Sequence, residues 1–253
     1  MHDIEQTKQI KYNLDYYVVQ ANELIRGKQD ELTLLEAKLV RLAISQILQY
    51  DKNFKTYTCH ISDLAKFLEI DKSNIYKEVE NLITNLMRKV ITIRKFPDKN
   101  GNLRWVKFHW VSTAQYDNGE ITIKLSDELA PYLIGLDELF TKYTYSSIIA
   151  LPTVYAIRMY ELLVSHQSSV FKKVSDINFT GIALEKNEIA FSIEYLREYF
   201  NCEDKYNNAS DFIKRIIEPS IKAINEKTVS RFCFRKVKKG RSITHIIFNV
   251  NNW

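Results

Sequence analysis

The chain has 253 residues, of which 45% are hydrophobic and 26% charged, so it can bury one large core or two of ordinary size, and wholesale disorder is excluded. Its net charge is only +5, and no apolar run approaches the roughly 20 residues that a membrane-spanning helix needs. The first residues include acids and no apolar signal segment, so no secretory signal is expected. The three cysteines lie far apart and suggest no disulfide framework, so we expect a location in a reducing cytoplasm.

The sequence lacks the motifs of the common enzyme classes. Its six glycines never form GxGxxG or GxxxxGK[ST], and its five histidines form neither HExxH nor a closely spaced pair. No cysteine or histidine cluster has zinc-ligand spacing. Fifteen tyrosines would suit a topoisomerase or a nickase, but those readings also need a histidine pair or an arginine-rich catalytic cluster. We therefore predict a protein with no enzymatic activity, cofactor or metal.

The first half of the chain is predicted to form three helices followed by a β-hairpin. The helices are expected over residues 32–49, with Thr33 as N-cap, over 61–70, opened by Ser62, and over 72–89, capped by Asp71 or Ser73. A strand is expected at 55–60, and two more at 90–95 and 103–116, joined by a polar turn. This order predicts a winged helix, which is a helix-turn-helix motif with a β-hairpin wing.

The same order returns in the second half. Helices are expected over residues 154–167, 193–200 and 208–227, and a closing hairpin over 230–250. Four residues of the short helix recur at a constant offset: Ile61, Leu64, Phe67 and Leu68 match Ile193, Leu196, Tyr199 and Phe200. Such a repeat indicates a duplicated domain. We predict an α+β fold of two tandem winged helices, with domains at residues 1–145 and 146–253.

Charge is concentrated in these motifs. Eleven cationic residues stand against three acids between Lys205 and Arg241, and seven against one between Arg88 and Lys107. Six acids and one lysine lie between Asp117 and Glu138. Clustered positive charge is typical of a polyanion binder, and about eight phosphate contacts would give a slope of log K against log salt of about −7.

The third helix and the wing of the second copy are predicted to be the main DNA reader. In helix-turn-helix proteins this helix enters the major groove, where Arg and Lys read guanine and Asn reads adenine. Pro219 is expected to kink it and to separate a reading half from a core-packing half. Asp211 is expected either to accept a hydrogen bond from cytosine or to orient the Arg215 side chain. The candidate DNA-binding residues are Lys205, Asn207, Asn208, Ser210, Asp211, Lys214 and Arg215, with Arg235, Lys236, Lys238, Lys239 and Arg241 on the wing.

The first copy has a less basic third helix. Its outward residues either contact DNA or are simply solvated, and Tyr76 and the tryptophans of the hairpin either stack on bases or pack across strands. The candidates are Lys72, Ser73, Asn74, Tyr76, Lys77 and Asn81, with Arg94 and Lys95 on the hairpin.

Several stretches resemble one known family. Residues 155–163 (YAIRMYELL), 211–228 (DFIKRIIEPSIKAINEKT) and 238–248 (KKGRSITHIIF) are similar to the initiator replication proteins of iteron-bearing, theta-replicating plasmids, which have two tandem winged helices. The opening segment, residues 22–24 and 34–42, is similar too, so the resemblance extends over nearly the whole chain.

The resemblance implies a function and partners. It implies sequence-specific binding to direct repeats at a plasmid origin, origin opening, and loading of the replicative helicase with the host initiator. It also implies a homodimer, formed through the N-terminal domain, that represses its own gene at an operator inverted repeat. Gly119 and the strand after it, or the adjoining acidic stretch, are expected to belong to the dimer interface. The family position before Lys214 is sometimes basic and is Ile213 here, which affects the base preference.

A second function remains open on the residues alone. A winged-helix transcriptional repressor without initiator activity needs the same groove-reading side chains. Direct repeats beside an AT-rich stretch would favour the initiator, and a lone inverted repeat would favour the repressor.

Overall fold

A computed structural model of the chain describes residues 7–68, 75–95, 99–170, 184–185, 187–206 and 208–250. The chain forms two compact units, residues 1–148 and 149–253, whose border lies close to the expected one. Within the described ranges, no helix is both long enough and apolar enough to cross a membrane.

The described residues of the first unit combine short helices with three small sheets. Its helices are α1 (Asn22–Arg26), α2 (Leu34–Ser45), α3 (Ile61–Phe67), α4 (Ile75–Arg88), a 3₁₀ turn (Asp127–Leu129), α5 (Ala130–Leu133) and α6 (Tyr145–Ile149). Its strands are β1 (Thr7–Gln9), β2 (Tyr17–Ala21), β3 (Lys28–Gln29), β4 (Thr56–His60), β5 (Val90–Lys95), β6 (Arg104–His109), β7 (Val111–Asp117), β8 (Glu120–Leu125) and β9 (Phe140–Thr144). The sheets have the orders β1-β4-β8-β7, β3-β5-β6 and β2-β9.

Helix α2 begins as the sequence predicts. The Thr33 hydroxyl accepts a hydrogen bond from the Glu36 amide, and the Glu36 carboxylate accepts one from the Thr33 amide, which together form a capping box. The helix ends at Ser45, earlier than predicted. The Gln46 side chain there accepts from the Lys11 amide at 2.9 Å, and this contact holds the N-terminal segment against the helix end.

The first helix-turn-helix follows β4. Helix α3 begins at Ile61, as predicted, but its N-cap is His60 and not Ser62, and the His60 ring nitrogen Nδ1 accepts from the Ser62 amide. Helix α4 buries Val79, Leu82, Ile83 and Leu86 of the apolar stripe that its sequence predicts, and the fifth member, Ile75, is partly exposed. Its expected caps, Asp71 and Ser73, lie outside the described residues.

The predicted strand over residues 103–116 is two strands in the structure. Trp110 and Val111 are both buried, and two successive buried residues interrupt the period of two that a single strand requires. Strand β6 therefore pairs with β5 before this point, and β7 pairs with β8 after it, in a different sheet.

The described residues of the second unit form helices and a three-stranded sheet. Its helices are α7 (Val154–Val170), α8 (Ile193–Tyr199), α9 (Ala209–Phe212), a π-helical turn (Ile213–Ile217) and α10 (Glu218–Lys227), and its strands are β10 (Glu188–Ser192), β11 (Cys233–Lys239) and β12 (Ser242–Asn249). The sheet order is β10-β12-β11, and α10 packs against α7. The prediction of two tandem winged helices is confirmed.

Sheet pairing changes which hairpin of the first unit is the wing. Strand β10 pairs with β12 of the closing hairpin, and β4, which also leads into a short helix, pairs with β8. The counterpart of the β11–β12 wing is therefore hairpin β7–β8. The element order predicts hairpin β5–β6 for this role, and that assignment is wrong. Hairpin β5–β6 instead pairs with β3.

Residues 209–227 form one continuous helix, called the reading helix below. Pro219 cannot donate to the carbonyl of residue 215, and the turn just before it widens into a π-helical turn. Buried side chains lie on both sides of Pro219: Phe212, Ile213, Ile216 and Ile217 before it, and Ile221 and Ile224 after it. The predicted division into a reading half and a core-packing half is therefore wrong.

Candidate DNA-binding interface

The start of the reading helix is fixed by its own side chains. The Asn208 side-chain oxygen accepts from the Asp211 amide at 2.9 Å, so Asn208 is the N-cap. Its side-chain nitrogen donates to the Asp211 carboxylate at 3.3 Å. Asp211 is thus oriented by Asn208 and forms no ion pair with Arg215 among the described residues. Of its two predicted roles, orienting Arg215 is therefore not seen, and accepting a hydrogen bond from cytosine stays a prediction. Ser210 beside them is exposed, and Asn207 lies outside the described residues.

The cationic face of the reading helix is set by the core beneath it. Ile213 and Ile216 are buried, so the intervening Lys214 and Arg215 project into solvent. Because the apolar anchors determine the rotation of the helix, these two cations have a fixed direction. An exposed Arg next to Lys on a helix of this motif can donate to guanine O6 and N7 in the major groove.

The wing ends in a tight turn with three exposed cations. Lys239 pairs with Ser242 across the two residues Gly240 and Arg241, and Gly240 has a φ of 62°, which glycine adopts without strain. Lys238, Lys239 and Arg241 are exposed around it. They are suited to phosphates, because a hairpin tip lies along a DNA backbone more readily than it reaches base edges.

The two other wing candidates are held by acids. The Arg235 guanidinium donates to both oxygens of Glu188 at 2.9 and 2.8 Å, and the Glu188 side chain is only 8% exposed. The hydrogen bond from Arg235 lowers the pKa of Glu188, so this carboxyl is ionised at neutral pH. Lys236 Nζ lies 3.1 Å from the Glu218 carboxylate and ties the wing to the reading helix.

These pairs reduce the number of phosphate-binding candidates in the second unit. Lys205 is half-buried in the loop before the reading helix. Of the sequence-predicted cations on this unit's reading helix and wing, those that are exposed and have no acidic partner among the described residues are Lys214, Arg215, Lys238, Lys239 and Arg241. At about 0.9 per phosphate, five contacts give a salt slope of about −4 to −5 from this unit, rather than −7.

Glu188→Gln should increase the affinity for DNA of any sequence. Glutamine keeps the size of the side chain but removes the charge that neutralises Arg235, and the released cation adds about one phosphate contact. We expect the salt slope to steepen by about 0.9, with binding to random duplex about five to ten times tighter at ~0.1 M salt. Fluorescence anisotropy over a salt series measures both quantities.

The matched control is Glu128→Gln, which makes the same change in net charge at an exposed position of the first unit. It should leave the slope unchanged. Equal slopes for the wild type and Glu188→Gln would show that Arg235 is not restrained by its acid partner.

The candidates on α4 of the first unit lie in mixed charge. Tyr76, Lys77 and Asn81 are exposed, but so are Glu78 and Glu80. The Tyr76 ring packs edge-on against Tyr116 of β7 at 5.8 Å between centroids, a contact that sequence reasoning missed. Lys72, Ser73 and Asn74 lie outside the described residues.

The first unit's wing counterpart is acidic at its tip. Asp117 and Glu120 face each other across the turn of Asn118 and Gly119, and both are exposed. A DNA backbone would repel this tip.

Arg94 and Lys95 occupy opposite faces of hairpin β5–β6. Arg94 pairs across the hairpin with Trp105 on the outer face, whereas Lys95 lies over the Tyr132 ring at 5.9 Å on the inner face. Only Arg94 of the two is placed to meet a ligand on the outer face.

Strand β8 has no free edge for a dimer. It pairs with β4 on one side and β7 on the other, and Ile121 and Ile123 are buried. Gly119 is enclosed as well, because an added Cβ would lie 2.9 Å from His60 Nε2. Neither edge of β8 can therefore pair with a second copy, and the expectation that Gly119 and this strand, or the adjoining acidic stretch, belong to a dimer interface stays a prediction.

No group of three or more His, Cys, Asp or Glu side chains within the described ranges could hold a metal ion.

Comparison with known proteins gives two matching family models. One, described as Initiator Replication protein, WH1, matches residues 17–164. The other, described as Initiator Rep protein, WH2, matches residues 192–250. Together they extend over most of both units.

Among curated proteins, a replication initiation protein of Escherichia coli is 24% identical over 237 residues, which are 92% of this chain and 69% of that protein. The PI protein of Escherichia coli is 27% identical over 144 residues, 55% of this chain and 46% of that protein. A crystal structure of the Pi initiator protein in complex with iteron DNA matches with a TM-score of 0.64 and 19% identity, over 93% of this chain and 97% of that one. This last similarity shows a shared fold.

Proposed function

Because the chain belongs to the initiator replication protein family, we propose that it initiates plasmid replication by binding short direct repeats in duplex DNA at the origin. The family consists of DNA-replication initiators and not of enzymes. The proposal places the protein in the cytoplasm of a bacterial host.

One observation carries the proposal. Lys214 and Arg215 are exposed on a helix whose rotation is fixed by buried isoleucines, and the same unit presents three exposed cations at its wing tip. The first pair is suited to base edges and the wing to phosphates, which is the division of labour in sequence-specific recognition. That the Pi initiator, with the same fold, was crystallised on iteron DNA supports this assignment.

The two units have different roles in the proposal. The second unit reads the repeat, and the first adds contacts and forms a homodimer. The dimer represses the protein's own gene, and the DNA-bound form opens the origin and recruits the host initiator and the replicative helicase. These last functions are carried over from family membership.

Footprinting on the DNA that flanks the gene tests the binding mode. We expect several protected segments of one sequence, all in the same orientation and evenly spaced, beside an AT-rich stretch. A single protected inverted repeat would instead identify a transcriptional repressor, and an unprotected fragment would overturn the proposal.

A further inference from the structure

The outer face of the β3-β5-β6 sheet is a surface that the reading helix and wing do not explain. Directly paired residues of an antiparallel sheet share a face, and so do alternate residues along a strand. The register therefore places seven residues on the outer face: Lys28, Val90, Thr92, Arg94, Trp105, Lys107 and His109. Ile91, Ile93 and Phe108 on the other face are buried, which fixes this one toward solvent.

Trp105 lies between cations on this face. Its side chain is 62% exposed, Lys107 Nζ lies 5.2 Å from the ring centroid, and Arg94 is directly opposite it. A tryptophan at this position contributes little to the stability of the first unit, because most of the indole surface stays in water. An exposed large aromatic side chain beside exposed cations is typical of a binding surface.

The charge of the sheet is of one sign. The three strands contain Lys28, Arg94, Lys95, Arg104 and Lys107 and no Asp or Glu. Asp30, which borders the sheet, accepts a hydrogen bond from the Val90 amide at the opposite end from Trp105. The ligand of this face is therefore anionic near the indole.

We propose that this face binds a single nucleic-acid strand, with one unpaired base stacked on Trp105 and the neighbouring phosphates held by Arg94 and Lys107. In a duplex each base face is covered by the next base pair, so an indole on a flat sheet has no ring to stack on. An unpaired base offers that ring regardless of sequence. Such a site would retain one strand of an opened duplex, independently of the reading helix.

Labelled oligo(dT) of about 20 nucleotides is the probe, because it forms no duplex. Trp105→Ala in the full chain should weaken its binding about 5- to 100-fold, the range for a base that loses its aromatic partner. Tyr50→Ala, which removes a 77% exposed aromatic elsewhere in the first unit, should change it less than twofold. Random duplex binding should be unchanged in both variants.

Trp105→Phe separates stacking from folding. Phenylalanine keeps part of the stacking surface, so this variant should bind oligo(dT) more tightly than Trp105→Ala. Oligo(dT) should quench the tryptophan emission of the wild type but no longer that of Trp105→Phe. Lys107→Ala should reduce the salt slope for oligo(dT) by about 0.7.

Three results would overturn the inference. These are unchanged oligo(dT) binding in Trp105→Ala, an equal loss of single-strand and duplex binding, and displacement of oligo(dT) by polyglutamate as effective as by unlabelled oligo(dT). The last would show a surface for acidic proteins. Oligo(rU) in a parallel arm distinguishes RNA from DNA as the source of the strand. Duplex binding without repeat specificity would contradict the proposed function but not this site.

Discussion

Replacing Arg215 with alanine should weaken binding to the cognate repeat by about 1–3 kcal/mol and reduce the discrimination against base substitutions in that repeat. Arg215 is exposed between buried anchors of the reading helix, so its guanidinium is directed at whatever lies in front of that helix. Equilibrium titration of a repeat, of single-base variants and of random duplex measures both effects. Because the side chain is exposed, the free energy of unfolding should change by less than about 0.5 kcal/mol.

The control for Arg215→Ala is Lys239→Ala on the wing. Losing a phosphate contact should weaken binding to DNA of every sequence by the same factor and reduce the salt slope by about one. The ratio of cognate to random affinity should stay constant. One pattern of results would show that the first unit, and not the second, is the main DNA reader. If Arg215→Ala preserved that ratio and Lys77→Ala or Asn81→Ala abolished it, α4 of the first unit would be the reader.

Removing the three wing-tip cations together should have the largest effect on affinity. In the triple variant Lys238→Ala, Lys239→Ala and Arg241→Ala, we expect the salt slope to become shallower by about three, and binding at ~0.1 M salt to fall by about a hundredfold or more. The ratio of cognate to random affinity should change little, because phosphate contacts are the same for every sequence.

A control with the same net charge is available in the first unit. Lys11, Lys52 and Lys142 are exposed and lie outside the candidate interface, so their triple alanine variant should retain most of the affinity. Equal losses in the two triple variants would mean that net charge, and not the wing, determines binding.

Local signals in the sequence were sufficient to predict most of the helices and strands. The apolar stripe of α4, the Thr33 cap and the spacing of the apolar residues within each short helix, at Ile61 and at Ile193, each depend on residues a few positions apart, and each appears in the structure. The exposed pair Lys214 and Arg215 was predictable for the same reason, because helical periodicity alone separates them from the buried isoleucines.

Long-range pairing was not predictable from the same signals. Strand β3 has two residues and no periodicity, yet hairpin β5–β6 pairs with it and does not occupy the wing position. Glu188 and Arg235 are 47 residues apart, so nothing local in the sequence indicates that one neutralises the other. The π-helical turn before Pro219 was not predicted either, because the missing amide of a proline does not by itself show how the preceding turn adjusts.

Plasmid maintenance tests the central claim most directly. A circular DNA that carries a selectable marker, the gene and its flanking DNA, but no other origin, is introduced into the bacterial host of the gene. We predict stable maintenance with the wild-type chain and loss with Arg215→Ala, although both chains accumulate to the same level. If the wild-type circle were lost while the purified chain bound the flanking repeats tightly, the protein would be a DNA-binding repressor and not a replication initiator.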